Sequence, residues 1–315
     1  TQATARAIAA AHRRCGTTAI LPTLITDTPA CMRQAAAVLA EPDAGLLGLH
    51  FEGPFLSTAR PGVHPPHLIR APTEDDLALL ETLGARQPGR IVLTLAPESV
   101  PDTQIRRLAA AGIIVCAGHT AASYDRTAAA IAAGLSGFTH LFNAMPPPES
   151  RAPGVAGAAL TDPHTWCGVI ADGIHVHPAM LRLLLAAKPA RTLLVSDSMP
   201  PIGTTLTSFG LQGREVYRQN GSLRTADGTL AGADICLADA VRFCVRTLGI
   251  QAAHALEMAS AAPADFLGIG SEVGRLAAGL RADLLLLTPT LDVLGTWVSG
   301  AWQGQAGIVP AQAAA

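Results

Sequence analysis

Seven short apolar runs, separated by alanine-rich stretches, limit what this 315-residue chain can fold into. They are 17–24 (TTAILPTL), 46–52 (LLGLHFE), 90–96 (RIVLTLA), 113–119 (IIVCAGH), 137–142 (GFTHLF), 165–171 (TWCGVIA) and 192–197 (TLLVSD). Most are continuously apolar rather than alternating, as in parallel strands covered on both faces. The intervals 2–14, 29–40, 73–84, 101–111, 123–133 and 178–187 suit helices, with start signals at Pro29, at Thr73 with Asp76, and at Ser123. Such βαβα alternation predicts an α/β parallel sheet with right-handed crossovers. A closed TIM-type (β/α)8 barrel has eight strands. The chain shows seven, opens inside a helix-like segment and does not begin with Met, so the expectation is a barrel whose first strand is missing. A doubly wound open sheet competes. It would gather ligands at one crevice, and it accounts less well for polar groups spread over four strand ends.

Beyond Asp197 the pattern changes. Residues 209–232 read as a β-hairpin insertion with turns at Asn220-Gly221 and Asp227-Gly228. Helical periodicity returns over 234–248 and 252–267, and short strands follow Gly274. The expected organisation is a hydrolase barrel over 1–273 and the remnant of a small β-subdomain over 274–310, with a disordered AQAAA tail. Composition excludes some classes. With 49% apolar and 15% charged residues, a net charge of −2 and no basic block, nothing suggests a nucleic-acid partner. The apolar runs fall well short of the ~20 residues that span a bilayer. None of the six cysteines forms a C-x-x-C pair, and several lie in apolar runs where free thiols pack as small hydrophobes. A reduced, cytoplasmic compartment is expected.

Four of the runs stop at a metal-binding or proton-carrying residue: Glu52, His119, His140 and Asp197. In a (β/α)8 barrel the chemistry sits at the carboxyl ends of the strands, so one barrel mouth would collect all four. Glu52, His119 and His140 supply a carboxylate and two imidazoles, which leaves a coordination position for water. A metal lowers the pKa of that water from 15.7 to roughly 7 and makes hydroxide available as a nucleophile. Asp197 is then the acid/base that moves its proton. Any one of these residues alone reads more readily as a structural histidine or a solvated carboxylate; their repetition at strand ends carries the argument. His64, in the Pro-rich GVHPP loop, and His175, after ADG, are placed for substrate contact. Glu98, in APES, would orient a ligand or start a helix, and His177 is a weaker candidate. His12, His67, His164 and His254 read as surface or helix residues.

Nine segments resemble the N-acetylglucosamine-6-phosphate deacetylases of the amidohydrolase superfamily. They are PTLITD (22–27), GLHFEGPFLS (48–57), GVHPP (62–66), LAPE (95–98), AGHT (117–120), THLFNAM (139–145), ADGIHVH (171–177), LVSDSMPP (194–201) and GTLAG (228–232). They run in family order over nearly the whole chain, and GLHFEGP with THLFNAM is a specific combination. The resemblance implies a metal-dependent hydrolase that converts N-acetyl-D-glucosamine 6-phosphate to glucosamine 6-phosphate and acetate. It makes Glu52, His119 and His140 the metal ligands, Asp197 the catalytic acid/base, and His64 the group that polarises the acetamide carbonyl. It places Val63, His64, Asn143, Ala144, Arg151 and His175 against the sugar phosphate, and Leu230, Ala231 and Gly232 in a loop closing over it. It also implies a homodimer whose neighbour contributes to the phosphate site. The ligand set suits zinc first, then iron, cobalt or manganese; one site is supported and a second is left open. Two departures matter: Ala152 stands where the family usually has Glu, and VSDSM replaces the commoner VTDA. Alternatives are an amidohydrolase for another acylated amino sugar or a cyclic amide, a non-catalytic sugar-phosphate binder, and an inactive N-terminally truncated fragment.

Overall fold

The computed structural model describes residues 1–40, 43, 45–85 and 90–303; the AQAAA tail and the expected end of the small β-subdomain, 304–310, lie outside them. Seven parallel strands form one curled sheet in sequential order: β1 (Thr23–Ile25), β2 (Gly48–Glu52), β3 (Arg90–Leu95), β4 (Ile114–Ala117), β5 (Gly137–Phe138), β6 (Trp166–Val169) and β7 (Thr192–Leu194). Among the described residues β1 and β7 are its two free edges. The architecture is the expected TIM-like barrel wall with seven of its strands. Every regular strand is shorter than its apolar run, because the chain leaves the ladder before the polar residue in most cases.

Helices α1 (Gln2–Arg14), α2 (Pro29–Ala36), α3 (Glu74–Gly84), α4 (Asp102–Ala110), α5 (Tyr124–Ala132), α6 (Gly154–Thr161) and α7 (Pro178–Ala187) alternate with the strands. The start signals hold. Thr73 and Asp76 form a reciprocal capping box on α3, Ser123 caps α5, and Thr28 caps α2 just ahead of Pro29. Helix α6 was not anticipated. Six of its eight residues are buried, so GVAGAALT has no polar face to mark a helical period.

The outer face of the sheet carries the main core. Leu49, Phe51, Leu93, Leu95, Val115 and Ala117 pack under Leu77, Leu80, Ile105, Leu108 and Ala130 of the helices. Alternation along each strand sends His50 and Glu52 of β2, Val92 and Thr94 of β3, and Cys116 of β4 to the concave face. There Val92 and Cys116 pack against Ala264, Leu267, Ile269 and Val273.

The 209–232 insertion is not a simple hairpin. It is a four-stranded antiparallel sheet of β8 (Ser208–Leu211), β9 (Arg214–Gln219), β10 (Ser222–Thr225) and β11 (Leu230–Ala233). The extra turn is at Gln212-Gly213, both with positive φ; glutamine there hides the turn signal. Helix α8 (Leu237–Arg246) follows. The expected 252–267 helix is two, α9 (Ala252–Ala259) and α10 (Ala261–Phe266), broken at Ser260. Strands β12 (Leu284–Leu287), β13 (Val293–Val298) and β14 (Ala301–Trp302) make a small antiparallel sheet against the end of α1, where Thr296 Oγ1 donates to the Arg13 carbonyl. No described helix is long and apolar enough to cross a membrane, and all six cysteines are free.

Candidate active site

Glu52 ends β2, while His119, His140 and Asp197 lie two or three residues past β4, β5 and β7. These last three have φ of 48°, 30° and 47°, values uncommon for residues other than glycine and concentrated at functional sites. The turns that hold them are tied to the barrel and to each other. Ser57 N–H donates to the His119 carbonyl (2.9 Å), Leu141 N–H to the Gly168 carbonyl (2.8 Å), and Thr120 N–H to the Ala144 carbonyl (3.2 Å). Gly118 must precede His119, because a Cβ there would lie 2.6 Å from Thr94 Cγ2.

The side chains converge. His140 Nε2 is 2.9 Å from Glu52 Oε1 and 3.2 Å from His119 Nε2, and His119 Nε2 is 3.2 Å from Glu52 Oε1. All three residues are buried. Burial opposes a charge on Glu52, but the His119 and His140 imidazoles against it hold its carboxyl well below the usual range. Burial likewise opposes a charge on His140, yet Glu52 beside it raises the imidazole to about 9. His119 donates its Nδ1–H to the Arg60 carbonyl at 3.0 Å, which leaves the Nε2 lone pair facing the other two groups. Three donor atoms mutually about 3 Å apart, one imidazole already oriented by a carbonyl, fit a divalent cation.

His64 is also close: a ligand atom of Glu52, His64 and His119 each falls within 4.8 Å of the others. Its nearer approach to Glu52 is Nε2 to Oε2 at 3.9 Å, longer than those of His119 and His140, so the tighter donor set is Glu52, His119 and His140. The GVHPP loop is not a surface loop at this point, since His64 is 1% exposed. Burial drives its imidazole down to about 3; it is neutral at pH 7 and suited to donating a hydrogen bond.

Asp197 faces the same cavity as Glu52 and His140. Burial first, then the charge of Glu52, pushes its carboxyl up to about 6. The cavity, about 590 Å3, runs from these residues between the β1 and β7 edges over Ile20, Leu21, Leu193 and Leu194. His175 donates Nδ1–H to Asp172 at 2.6 Å, and its buried Nε2 has no partner among the described residues, so an unused hydrogen-bonding atom is available to a ligand. Asn143 spends its amide on the His140 and Leu141 carbonyls, which stiffens the turn, and Ala144 has φ 50°. Leu230, Ala231 and Gly232 are not a loop. They belong to β11, and Ala233 N–H donates to the Asp197 carbonyl at 2.8 Å. Val63 packs on the same appended sheet. Arg151 is exposed and has no side-chain partner among the described residues.

Some neighbours went unread in the sequence. Thr26, Arg60, Asp172 and Gln212 each bond to the site or its supports. Only Asp172 carried a signal, in the ADG turn that its carboxylate closes on the Ile174 and His175 N–H groups. Glu98 accepts from Thr120 Oγ1 and Ala121 N–H, bracing the turn after His119. His177 caps α7, and His12 is buried in α1 rather than at the surface.

The model of the amidohydrolase family matches residues 1–302. The chain belongs to the amidohydrolase family. This amidohydrolase is 42% identical over 304 residues to an N-acetylgalactosamine-6-phosphate deacetylase of Shewanella sp. (strain ANA-3), covering 94% of this chain and 76% of that one. It is 36% identical over 302 residues to an N-acetylglucosamine-6-phosphate deacetylase of Danio rerio, covering 90% and 74%. The crystal structure of N-acetylglucosamine-6-phosphate deacetylase from Pasteurella multocida superposes with a TM-score of 0.92 at 34% identity, covering 96% of this chain and 80% of that one. The family is metal-dependent, and this amidohydrolase has a Glu/His cluster able to bind a metal.

Proposed function

We propose that this amidohydrolase hydrolyses the acetamide of N-acetyl-D-glucosamine 6-phosphate to glucosamine 6-phosphate and acetate. The observation that carries the reading is the meeting of Glu52, His119 and His140 within 3.2 Å beside buried His64 and half-buried Asp197. Its setting, a chain aligned with phosphosugar deacetylases over nine-tenths of its length, names the substrate class. Glu52, His119 and His140 would hold one divalent ion, zinc first, with iron, cobalt or manganese also suited. When bound, the ion supplies Lewis acidity toward water and the amide carbonyl.

The chain's own residues do the rest. Neutral His64 donates from Nε2 to the carbonyl oxygen as negative charge develops there, which is the kind of interaction that most lowers such barriers. Asp197, ionised at neutral pH, accepts a proton from the attacking water. It then delivers that proton to the departing nitrogen as the C–N bond breaks. Asn143, Ala144, Val63, His175 and β11 line the approach. Arg151 is suited to a phosphate through its planar fork. Its exposure, with no side-chain partner among the described residues, supports a homodimer in which it serves the neighbour's phosphate subsite. The same reading places the enzyme in the cytoplasm and divides the chain at about residue 273 into the barrel and a small β-subdomain.

A second reading has its own support. The relative at 42% identity is named for the galactosamine sugar, the one at 36% for the glucosamine sugar. The two substrates differ only in configuration at C4. Acetate release from both sugar phosphates by the zinc-loaded protein tests the choice; a preference for the galactosamine epimer would reassign the substrate, and no release from either would end the deacetylase reading. Arg151→Ala should raise KM for the phosphorylated sugar by about 10–100-fold, the worth of charge-assisted hydrogen bonds, and leave the unphosphorylated sugar nearly unchanged.

A further inference from the structure

Thr26 follows β1 and is 1% exposed. Its main-chain N–H donates to His64 Nδ1 at 3.3 Å, and its Oγ1 lies 2.8 Å from the same nitrogen. A ring nitrogen that accepts a main-chain N–H carries no proton of its own, so the imidazole proton sits on Nε2. The opposite tautomer would aim Nδ1–H at the Thr26 N–H. Thr26 is gripped from its other side, where Gln212 Nε2 donates to the Thr26 carbonyl at 2.8 Å and reaches Asp27 Oδ2 at 3.3 Å. Gln212 is the β8–β9 turn of the appended sheet. Thr26 Oγ1 also lies 3.4 Å from the Glu52 carbonyl; with its single hydrogen given to the nearer His64 Nδ1, this is a contact that seats the β1 tip beside that of β2.

We propose that Thr26 is a positioning residue: its N–H and hydroxyl hold His64 as the Nε2–H tautomer aimed into the site, and Gln212 holds Thr26 in place to do so. The catalytic part of the proposal rests on the deacetylase reading, whereas the tautomer does not. His64 with its proton on Nδ1 would offer a lone pair where the substrate carbonyl needs a donor, so turnover, not substrate affinity, depends on Thr26.

The test compares the zinc-loaded wild type with Thr26→Val, Thr26→Ser and Gln212→Asn, the last shortening the amide while keeping a side chain tolerant of positive φ. Thr26→Val should lower kcat about tenfold, less than the ~10²–10³-fold of losing an oxyanion donor outright because the N–H remains, with KM changed by less than about twofold and Thr26→Ser restoring most of the loss. Nitrogen-15 NMR of the His64 ring, assigned by its loss in His64→Gln, should show Nε2–H in the wild type. It should show a growing Nδ1–H population in Thr26→Val and a smaller one in Gln212→Asn. An Nδ1–H wild type, or a Thr26→Val enzyme that keeps both its kcat and its Nε2–H form, overturns the proposal. If Thr26→Val does not fold, an unchanged tautomer and kcat in Gln212→Asn overturn it instead. A wild type with the Nε2–H form but no deacetylation of either sugar phosphate sinks the functional reading and supports the tautomer assignment.

Discussion

Asp197 sits where its charge is costly. Burial and the neighbouring Glu52 push its carboxyl up to about 6, against roughly 3.9 for an unperturbed aspartate. Between those two values the native state binds more protons than the unfolded one, so the stability of the metal-free protein falls as pH rises through that window. At pH 7 the cost is on the order of 2–3 kcal/mol. Asp197→Asn removes the charge and should raise stability at pH 7 by about that much, with little effect below about pH 4, while lowering kcat by roughly 10²–10⁴-fold. Urea melts at the two pH values check it; equal shifts at both would show that charge is not what is strained there. The residue types at the site were legible because a Glu, two His and an Asp ended apolar runs. What aims them was not. The left-handed backbone at His119, His140 and Asp197 leaves no mark on residue identity, Arg60 acts through a main-chain carbonyl that every residue has, and Thr26 acts partly through its main-chain N–H.

At the scale of elements, capping is where sequence and structure agree best. On α3, Thr73 Oγ1 accepts from Asp76 N–H, and the Asp76 carboxylate accepts from Thr73 N–H at 2.8 Å and from both arms of Arg70. Thr73→Ala should cost about 1 kcal/mol, the usual worth of an N-cap, and Asp76→Ala more, since it also strands the Arg70 guanidinium. Chemical-denaturation midpoints measure both, and the reverse order would mean that Arg70 contributes nothing to the cap. Elsewhere the local signals misled for physical reasons. Helix α6 is buried nearly all round, so it has no stripe to read. The expected hairpin became four strands because the Gln212-Gly213 turn uses a residue with no turn preference, unlike Asn220-Gly221. Leu230 to Gly232, a loop by the family resemblance, are strand, and Gly232 at φ 69° is needed there: a Cβ would lie 2.4 Å from Met199 Cγ.

At the scale of the molecule, the barrel wall was legible from periodicity alone, since continuous apolar runs and Ala-rich spacers permit few other layouts. Among the described residues the wall has a gap between β1 and β7, floored by the cavity of about 590 Å3. Edge strands are held by one neighbour and open at lower free energy than central ones. Amide hydrogen exchange should therefore be slowest at Leu93, Val115 and Ala117 and fastest at β1 and β7. Uniform protection over all seven strands would mean that the gap is sealed in solution. Across that gap lies the appended sheet, with Gln212 on Thr26 at one side and Ala233 on Asp197 at the other. His64, proposed to polarise the carbonyl, and Asp197, proposed to ferry the proton, are thus registered to each other by an inserted part rather than by the wall. Replacing residues 208–233 would reset the spacing of donor and base while leaving the three ligand-bearing strands untouched, which makes this insert the natural cassette for retuning turnover without rebuilding the metal centre.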